Sequence, residues 1–314
     1  MTLLDIDNSG LTPVGECTTK AALVALDYGG RSDSRDAMDA GNVFHAGLQK
    51  HFEGGSRDES FEAFNLEYFS LFPVEKPAQE DRLSLGNLQD IFGVYIDRHP
   101  LNIQPYEVLS AETIIGCPLD DAGEINIWAK RDLKIRDKAT GFIMPLDHKT
   151  TGGVNHRWQS GWSLCSQLPG YCWITNKETG AYCPGAYVNA IEIRLLPSSS
   201  SRCAKHGMKY NECRLEHTLF KMLYYDYTRD VIDGWRATAI VLARRFLLIK
   251  KQYPTLEHIK YAPQEGLTNR SCAFCQFKKF CQAGRYPHTA DIFLSYNHFA
   301  PWESEDAVWF DWRR

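Results

Sequence analysis

The chain has 314 residues, 44% of them hydrophobic and 24% charged, with a formal net charge of −4; this is the balance of an ordinary globular chain, not of a disordered or fibrous one. It holds no run of about 18 apolar residues, as a membrane-spanning helix needs, and its acidic start, MTLLDIDNSG, lacks the basic opening of a secretory signal. A cytoplasmic location without membrane partners is therefore expected, where the ten cysteines stay reduced; the slight acidity argues against a nucleic-acid coat but leaves room for a local basic groove.

In chain order, residues 18–28 predict a helix, 31–42 a polar stretch that reaches Gly41, and 43–53 a helix whose apolar spacing carries His45. Further helices are expected at 58–72 and 80–100. The pattern then switches to β-formers separated by turn residues. Segments 106–119, 124–137 and 141–150 read as three consecutive strands joined by hairpins. Residues 162–175 look helical despite the interior Pro169. Residues 185–197 read as a fourth strand, 217–227 as a fifth, and 229–253 as a long helix. The remainder is irregular and rich in cysteine and aromatic residues, and the tail APWESEDAVWFDWRR suits either a cover for the core or a docking segment. There is no internal repeat. This order predicts an α/β fold in one domain: 1–105 mainly helical, 106–255 the α/β core, and 256–314 a cysteine-containing part.

The segment GFIMPLDHKTTGG, residues 141–153, is chemically odd. A short apolar run of the kind that forms a buried strand ends in Asp147, His148 and Lys149, and buried charge is costly unless it is paired or bound to metal. On a strand, Asp147 and Lys149 share one face and His148 takes the other. The preceding strands carry Asp132 and Glu112. Carboxylates on neighbouring strands can share a divalent cation of the oxygen-seeking kind, magnesium or manganese. Such an ion would polarise a phosphodiester and activate water, with Lys149 stabilising the growing charge. An ordinary Asp–Lys ion pair at a strand end explains the triplet equally well on its own.

Five segments in order, AGNVFHAGLQ, AET, RDLKI, PLDHKTT and SQLPGY, resemble the PD-(D/E)XK nuclease superfamily, in particular its RecB-like branch, over residues 17–285. The matching positions are Gly41 with His45, Glu112, Asp132, Asp147 with Lys149, and Gln167 with Tyr171. The resemblance implies a restriction-endonuclease-like core, a central mixed sheet flanked by helices. It also implies a Mg2+- or Mn2+-dependent deoxyribonuclease, usually an exonuclease acting on DNA ends or single strands. His45, Asp132 and Asp147 would hold the metal, Lys149 would be catalytic with Glu112 in support, and Gln167 and Tyr171 would place the DNA. A histidine ligand makes manganese attractive beside magnesium. Related nucleases serve recombination, repair, phage DNA metabolism and CRISPR adaptation, which admits a protein partner in a recombination, helicase or adaptation complex. One position departs from the family: Lys130 stands where a glycine is common. Lys130 and Arg131 then become candidate DNA contacts, and Asp137 an understudy for Asp132.

Cys272, Cys275 and Cys281 follow a C-x2-C-x5-C spacing, which in a reducing compartment points to metal. A fourth ligand must come from elsewhere, and Cys17, ahead of the Gly-x3-His element, is the natural candidate. This layout resembles iron–sulfur nucleases of the RecB-like branch, of the AddB and CRISPR adaptation types. In those an N-terminal cysteine and three C-terminal ones hold a [4Fe–4S] cluster. A zinc knuckle or plain buried thiols remain open as readings. Lys278, Lys279 and Arg285, beside the cysteines, could face DNA. Separately, Cys203, His206, Cys213 and His217 have a spacing that could bind zinc, or they belong to a loop between strands. Cys117, Cys165, Cys172 and Cys183 read as core or near-surface thiols. The basic segment 243–254 is either a solvated helix face or a DNA-backbone contact. Two rivals to an active nuclease stay in view: a non-catalytic DNA-binding or assembly subunit on the same fold, and an unrelated zinc protein.

Overall fold

The computed structural model describes residues 4–30, 36–72, 81–163, 165–296, 298 and 300–313. Its first thirty residues hold more regular structure than the single helix expected there. Strand β1 (Leu4–Asp7) runs directly into α1 (Asn8–Glu16), because the Asp7 carboxylate accepts from the Gly10 amide at 2.8 Å and caps the first turn. Helix α2 (Thr18–Ala25) and the short β2 (Tyr28–Gly30) follow. The polar stretch at 31–42 turns helical at Asp36, where α3 (Asp36–Phe52) begins; its first five residues lie outside those described. Helix α4 (Arg57–Leu71) is opened by a reciprocal Ser56–Glu59 capping box. Helix α5 (Leu85–Arg98) begins later than the expected 80–100, of which residue 80 is outside the described set.

Strands β3 (Tyr106–Pro118), β4 (Ile125–Asp137) and β5 (Ile143–Thr151) form the expected meander. The helix read at 162–175 is two helices, α6 (His156–Ser163) and α7 (Gln167–Thr179). Pro169 is tolerated because it sits in the first turn of α7, where a backbone N–H has no intrahelical acceptor to lose. Strand β6 (Gly185–Glu192) stops short of the expected 197, and β7 (Phe220–Asp226) and α8 (Arg229–Gln252) complete the core. The C-terminal part contains short helices, β8 (Leu294–Tyr296) and β9 (Val308–Trp309).

The main sheet has seven strands in the order β7-β6-β5-β4-β3-β9, with β1 attached to β4. Strand β4 is antiparallel to both of its neighbours β3 and β5, while β5 and β6 are parallel, joined through α6 and α7. The sheet is mixed, and helices cover both faces. Adjacent residues on β4 mark the two sides: Arg131 meets Glu178 of α7, and Asp132 meets His45 of α3. Phe44, Leu48, Phe92, Leu133, Leu146, Val188 and Trp173, each at most 1% exposed, fill the layers on either side. Each such side chain contributes about 1.5–3 kcal/mol when it leaves water. The aromatic tail covers the sheet edge: β9 pairs parallel with β3, and the Trp312 indole N–H donates to the Pro118 carbonyl at 2.5 Å. No helix among the described residues is long and apolar enough to cross a membrane.

One detail of the sheet positions everything that follows. Along one edge β4 is paired with β3 for nearly its full length. Along the other it is shared: β1 runs parallel to it over Ile125–Trp128, and β5 antiparallel over Leu133–Arg136. Residues 129–132 fall in the gap between β1 and β5, so the sheet forks there.

Candidate active site

Asp132 and Asp147 stand where the fork opens. The ladder between β4 and β5 ends at the Leu133–Leu146 pair, and these two aspartates are the next residues on their strands. The backbone groups released by the fork are taken up by side chains. The His148 amide donates to Asp132 Oδ2 at 2.6 Å, and the Tyr171 hydroxyl donates to the Lys130 carbonyl at 2.7 Å. Buried backbone groups need such partners.

Glu112 lies on β3 between Ala111 and Thr113, which pair with Leu133 and Arg131, and so it faces Asp132 across the ladder. Its φ of 46° puts it in the left-handed region, unusual for glutamate and costing about 1–3 kcal/mol. Opposed like charges are also unfavourable. Two cationic groups compensate: Lys130 Nζ lies 2.8 Å from Glu112 Oε2, and His45 Nδ1 lies 3.3 Å from Glu112 Oε1 and 3.6 Å from Asp132 Oδ2. His45 arrives on α3 by a close approach. A Cβ at Gly41, one turn earlier, would sit 3.1 Å from Thr150 Oγ1 of β5, so the helix packs on the strand with little room beyond glycine. One potential ligand atom from each of His45, Glu112 and Asp132 lies within 4.8 Å of the others.

Asp147 stands beside this trio rather than in it. Its Oδ2 pairs with Lys149 Nζ at 2.7 Å, and its Oδ1 accepts from Gln167 Nε2 at 3.3 Å. Gln167 in turn donates to the Tyr171 hydroxyl at 2.8 Å. His148 points away, as alternation requires: its ring stacks on Phe52 and its Nδ1 accepts from Asn189 at 2.8 Å. Burial holds His148 well below its ordinary pKa, so it stays neutral.

The electrostatics suit a cation. Burial, with Asp147 and Glu112 close by, pushes the Asp132 carboxyl up to about 7 against the pull of His45 and Lys149. Burial tends to lower His45, but Asp132 and Glu112 outweigh it and hold its pKa above the usual value. For Glu112 burial works upward, and His45 and Lys130 overcome it, leaving the carboxyl below its normal range. Burial likewise opposes the charge on Lys149, yet Asp147 and Asp132 keep that amine above its usual value. A carboxyl as strained as Asp132, with a second carboxylate and an imidazole at ligand distance, matches the oxygen-rich, one-nitrogen donor set of magnesium or manganese.

Several sequence expectations change. Glu112, expected only in support, joins the ligand-distance group, whereas Asp147 is engaged by Lys149 and Gln167. Arg131, a candidate DNA contact, is 1% exposed and buried against α7, paired with Glu178 at 2.8 Å and with Thr175. Tyr171, expected to help place DNA, is 8% exposed and its hydroxyl is engaged by the Lys130 carbonyl at the fork. Asp137 caps the distal β4–β5 turn, accepting from the Thr140 amide at 2.7 Å, too far along the strand to replace Asp132. Arg285 is spent on the Ala262 carbonyl, 2.6 Å away. Lys130, half of whose side chain is exposed, reaches the site surface, and Lys278 and Lys279 are exposed beside the cysteines.

A groove that the sequence reading passed over opens next to Lys149. It encloses about 600 Å³ and is lined by Thr151, Asn155, Arg157, Trp158 and Trp162, among others. The two indoles, 5.7 Å apart, come from HRWQSGW at i, i+4 on α6, and Lys149 Nζ lies 5.5 Å from the Trp162 ring. That spacing is the signal that would have found them.

Cys17, Cys272, Cys275 and Cys281, all free thiols, line one cavity of about 280 Å³. The chain ends are fastened beside it: the Thr18 amide donates to Glu265 Oε2 at 2.8 Å and the Thr19 amide to the Pro263 carbonyl at 3.1 Å. Among the described residues, the groups whose ligand atoms lie within 4.8 Å of one another are the His45 trio and the Cys203 set, not these four thiols. Cys117, Cys172 and Cys183 are buried and Cys165 half-buried, in keeping with core thiols.

The family model of the PD-(D/E)XK nuclease superfamily matches residues 9–282. A solved structure from Eubacterium rectale, described as a candidate exonuclease, is 11% identical. The similarity covers 83% of this chain and 84% of that one, with a TM-score of 0.47. No curated protein matches the chain.

Proposed function

The chain belongs to the PD-(D/E)XK nuclease superfamily, and from that premise we propose that it is a Mg2+- or Mn2+-dependent DNA exonuclease of the RecB-like branch, acting as a single domain in the cytoplasm. The observation that carries this reading is the convergence of His45, Glu112 and Asp132 at the fork, with the Lys149–Asp147 pair alongside. The trio would hold the cation, which when bound supplies Lewis acidity toward a phosphodiester. Lys149, oriented by Asp147, offers positive charge to the phosphate oxygens as negative charge builds on them. Gln167 and Tyr171 are positioning residues: one fixes Asp147, the other the Lys130 carbonyl. Trp158 and Trp162 suit a single-stranded end, since stacking on a base is worth about 1–3 kcal/mol whatever its identity, and the exposed Arg157 would meet the backbone.

Cys17, Cys272, Cys275 and Cys281 would hold a [4Fe–4S] cluster. Their shared cavity supports this, and so does their spacing. Tetrahedral zinc with Zn–S bonds of about 2.3 Å would draw four sulfurs to about 3.8 Å of one another, closer than these four thiols gather. The cluster would act as a structural clasp between the ends of the fold.

The test uses protein purified without oxygen and end-labelled single- and double-stranded DNA, with and without manganese. Cleavage that stops with EDTA and returns with the ion is expected. Lys149→Ala should lower the rate by about 10²-fold or more, with DNA binding kept in a folded chain whose melting temperature drops because the buried Asp147 loses its partner. Wild-type cleavage by that variant would overturn the assignment of Lys149. A second reading, a non-catalytic DNA-binding subunit, is favoured by the Lys130 ammonium lying 2.8 Å from Glu112; binding without cleavage under all metal conditions would establish it.

A further inference from the structure

The insertion between β6 and β7 leaves the main core after Ile193 and Leu196, and from there to His217 it buries no apolar core of its own. Of residues 197–217, the buried ones are Cys203 and Cys213, 1% and 2% exposed, while the apolar side chains of Met208 and Leu215 are 47% and 43% exposed. Apolar burial, the usual driving force for ordering a chain, is therefore missing from 197–217. The backbone is nevertheless regular. The Cys203 amide donates to the Met208 carbonyl at 2.6 Å, the Gly207 amide to the Cys203 carbonyl at 2.8 Å, and the Cys213 amide to the Lys209 carbonyl at 3.1 Å. Gly207, at φ +69°, makes the tight turn directly after His206. A 3-10 turn over Arg214–His217 then brings His217 back against the hairpin.

What the segment surrounds is a set of metal-binding atoms. Cys203 Sγ lies 3.7 Å from His206 Nδ1 and 3.6 Å from His217 Nε2, and Cys213 Sγ lies 3.4 Å from His217 Nε2. All four residues offer ligand atoms within 4.8 Å of one another. Zinc bonds of about 2.3 Å to sulfur and about 2.0–2.1 Å to nitrogen, at tetrahedral angles, place sulfur and nitrogen about 3.6 Å apart. The Lys205 and His206 amides hydrogen-bond Cys203 Sγ, the kind of outer support that orients a ligating thiolate.

We propose that Cys203, His206, Cys213 and His217 form a closed, structural Zn2+ site. Two thiolates and two imidazoles suit zinc and disfavour magnesium or calcium, and four protein donors leave no open position for a substrate. The metal is what holds this coreless insertion in one shape, and the insertion in turn braces α5. Arg214 pairs with Asp90 at 2.7 Å, and Arg98 with Glu216 at 3.2 Å and Thr218 at 3.0 Å. The site is independent of the nuclease reading and of the other four thiols.

Full-length protein purified without added zinc should carry one zinc per chain by elemental analysis. X-ray absorption at the zinc edge should show two sulfur and two nitrogen neighbours. The Cys203→Ala/Cys213→Ala variant should lose the zinc and keep its iron and sulfide, and trypsin should cut it several-fold faster between Arg202 and Arg214. If that variant is insoluble, chelation of zinc from the wild type, followed by zinc re-addition, should raise and then restore resistance to trypsin. Zinc retained by the double variant would overturn the proposal. So would a first shell of four sulfurs, or a zinc-free wild type with Cys203 and Cys213 joined as a disulfide.

Discussion

The fork and the Cys17 cavity both gather metal-binding side chains, by opposite means. At the fork, His45, Glu112 and Asp132 sit on a helix of 17 residues and two strands of 13, held by backbone ladders before any ion arrives. Around the cavity, Cys272 and Cys281 sit on a 3-10 turn of 4 residues and a helix of 5, too short to be stable by themselves. Strain at the first site is electrostatic, and at the second it is the entropy of an open chain. On the proposed reading of the two sites, losing the metal should therefore cost chemistry at the fork and structure at the cavity.

The sharpest way to break that contrast is Cys281→Ser. A ligand set that joins residue 17 to residue 272 closes a loop spanning most of the chain, which constrains the unfolded state by at most about 5 kcal/mol. We expect iron and sulfide to be lost and the melting temperature to fall by up to about 8 °C, read by calorimetry without oxygen. Loss of iron with an unchanged melt would remove the cavity's role as a clasp.

The fork should respond to pH instead. Asp132 is raised from 3.8 to about 7 in the fold, so between those values the native state holds more protons than the unfolded one and stability falls as pH rises. His45, also raised, shifts stability in the same direction above its ordinary value. Lowered carboxyls such as Glu112 work in the opposite sense near pH 4, so metal-free protein should melt progressively lower from about pH 5 to pH 7, and manganese should restore the loss. Asp132→Asn should flatten this dependence. A wild-type profile that rises over the same range would contradict the burial argument.

The smallest expected effect is Gly41→Ala. Alanine favours the helix by about 1 kcal/mol, so the melt should hold or rise. The new Cβ, 3.1 Å from Thr150 Oγ1, would push α3 and His45 outward. A several-fold drop in cleavage rate is expected, with recovery in Gly41→Ala/Thr150→Ala. No recovery would mean that the glycine serves some other contact.

What was legible in the sequence follows from range. The β3–β5 meander could be read because alternation and turn residues are local signals. Strand β1 could not: it has 4 residues and its partner is the start of a strand over a hundred residues away. The positions of Asp132, Asp147 and Lys149 along their strands were visible, but not the fork, which depends on two different strands sharing one edge of β4. Nor was the left-handed backbone at Glu112 visible, since no residue type there announces it. Arg131 illustrates the reverse error. Beside Lys130 it looked like half of a basic pair, yet strand alternation sends neighbours to opposite faces, and its partner Glu178 lies on α7, well beyond the β4–β5 hairpin.

The division of one edge of β4 between β1 and β5 limits how this chemistry can be transplanted. In an unbroken sheet, the amide of His148 and the carbonyl of Lys130 would be claimed by neighbouring strands, and Asp132 and Tyr171 would have nothing to hold. A designer who copied the reactive side chains onto such a scaffold would obtain the right inventory in the wrong places. The object to copy is the missing stretch of pairing, together with the two side chains that stand in for it.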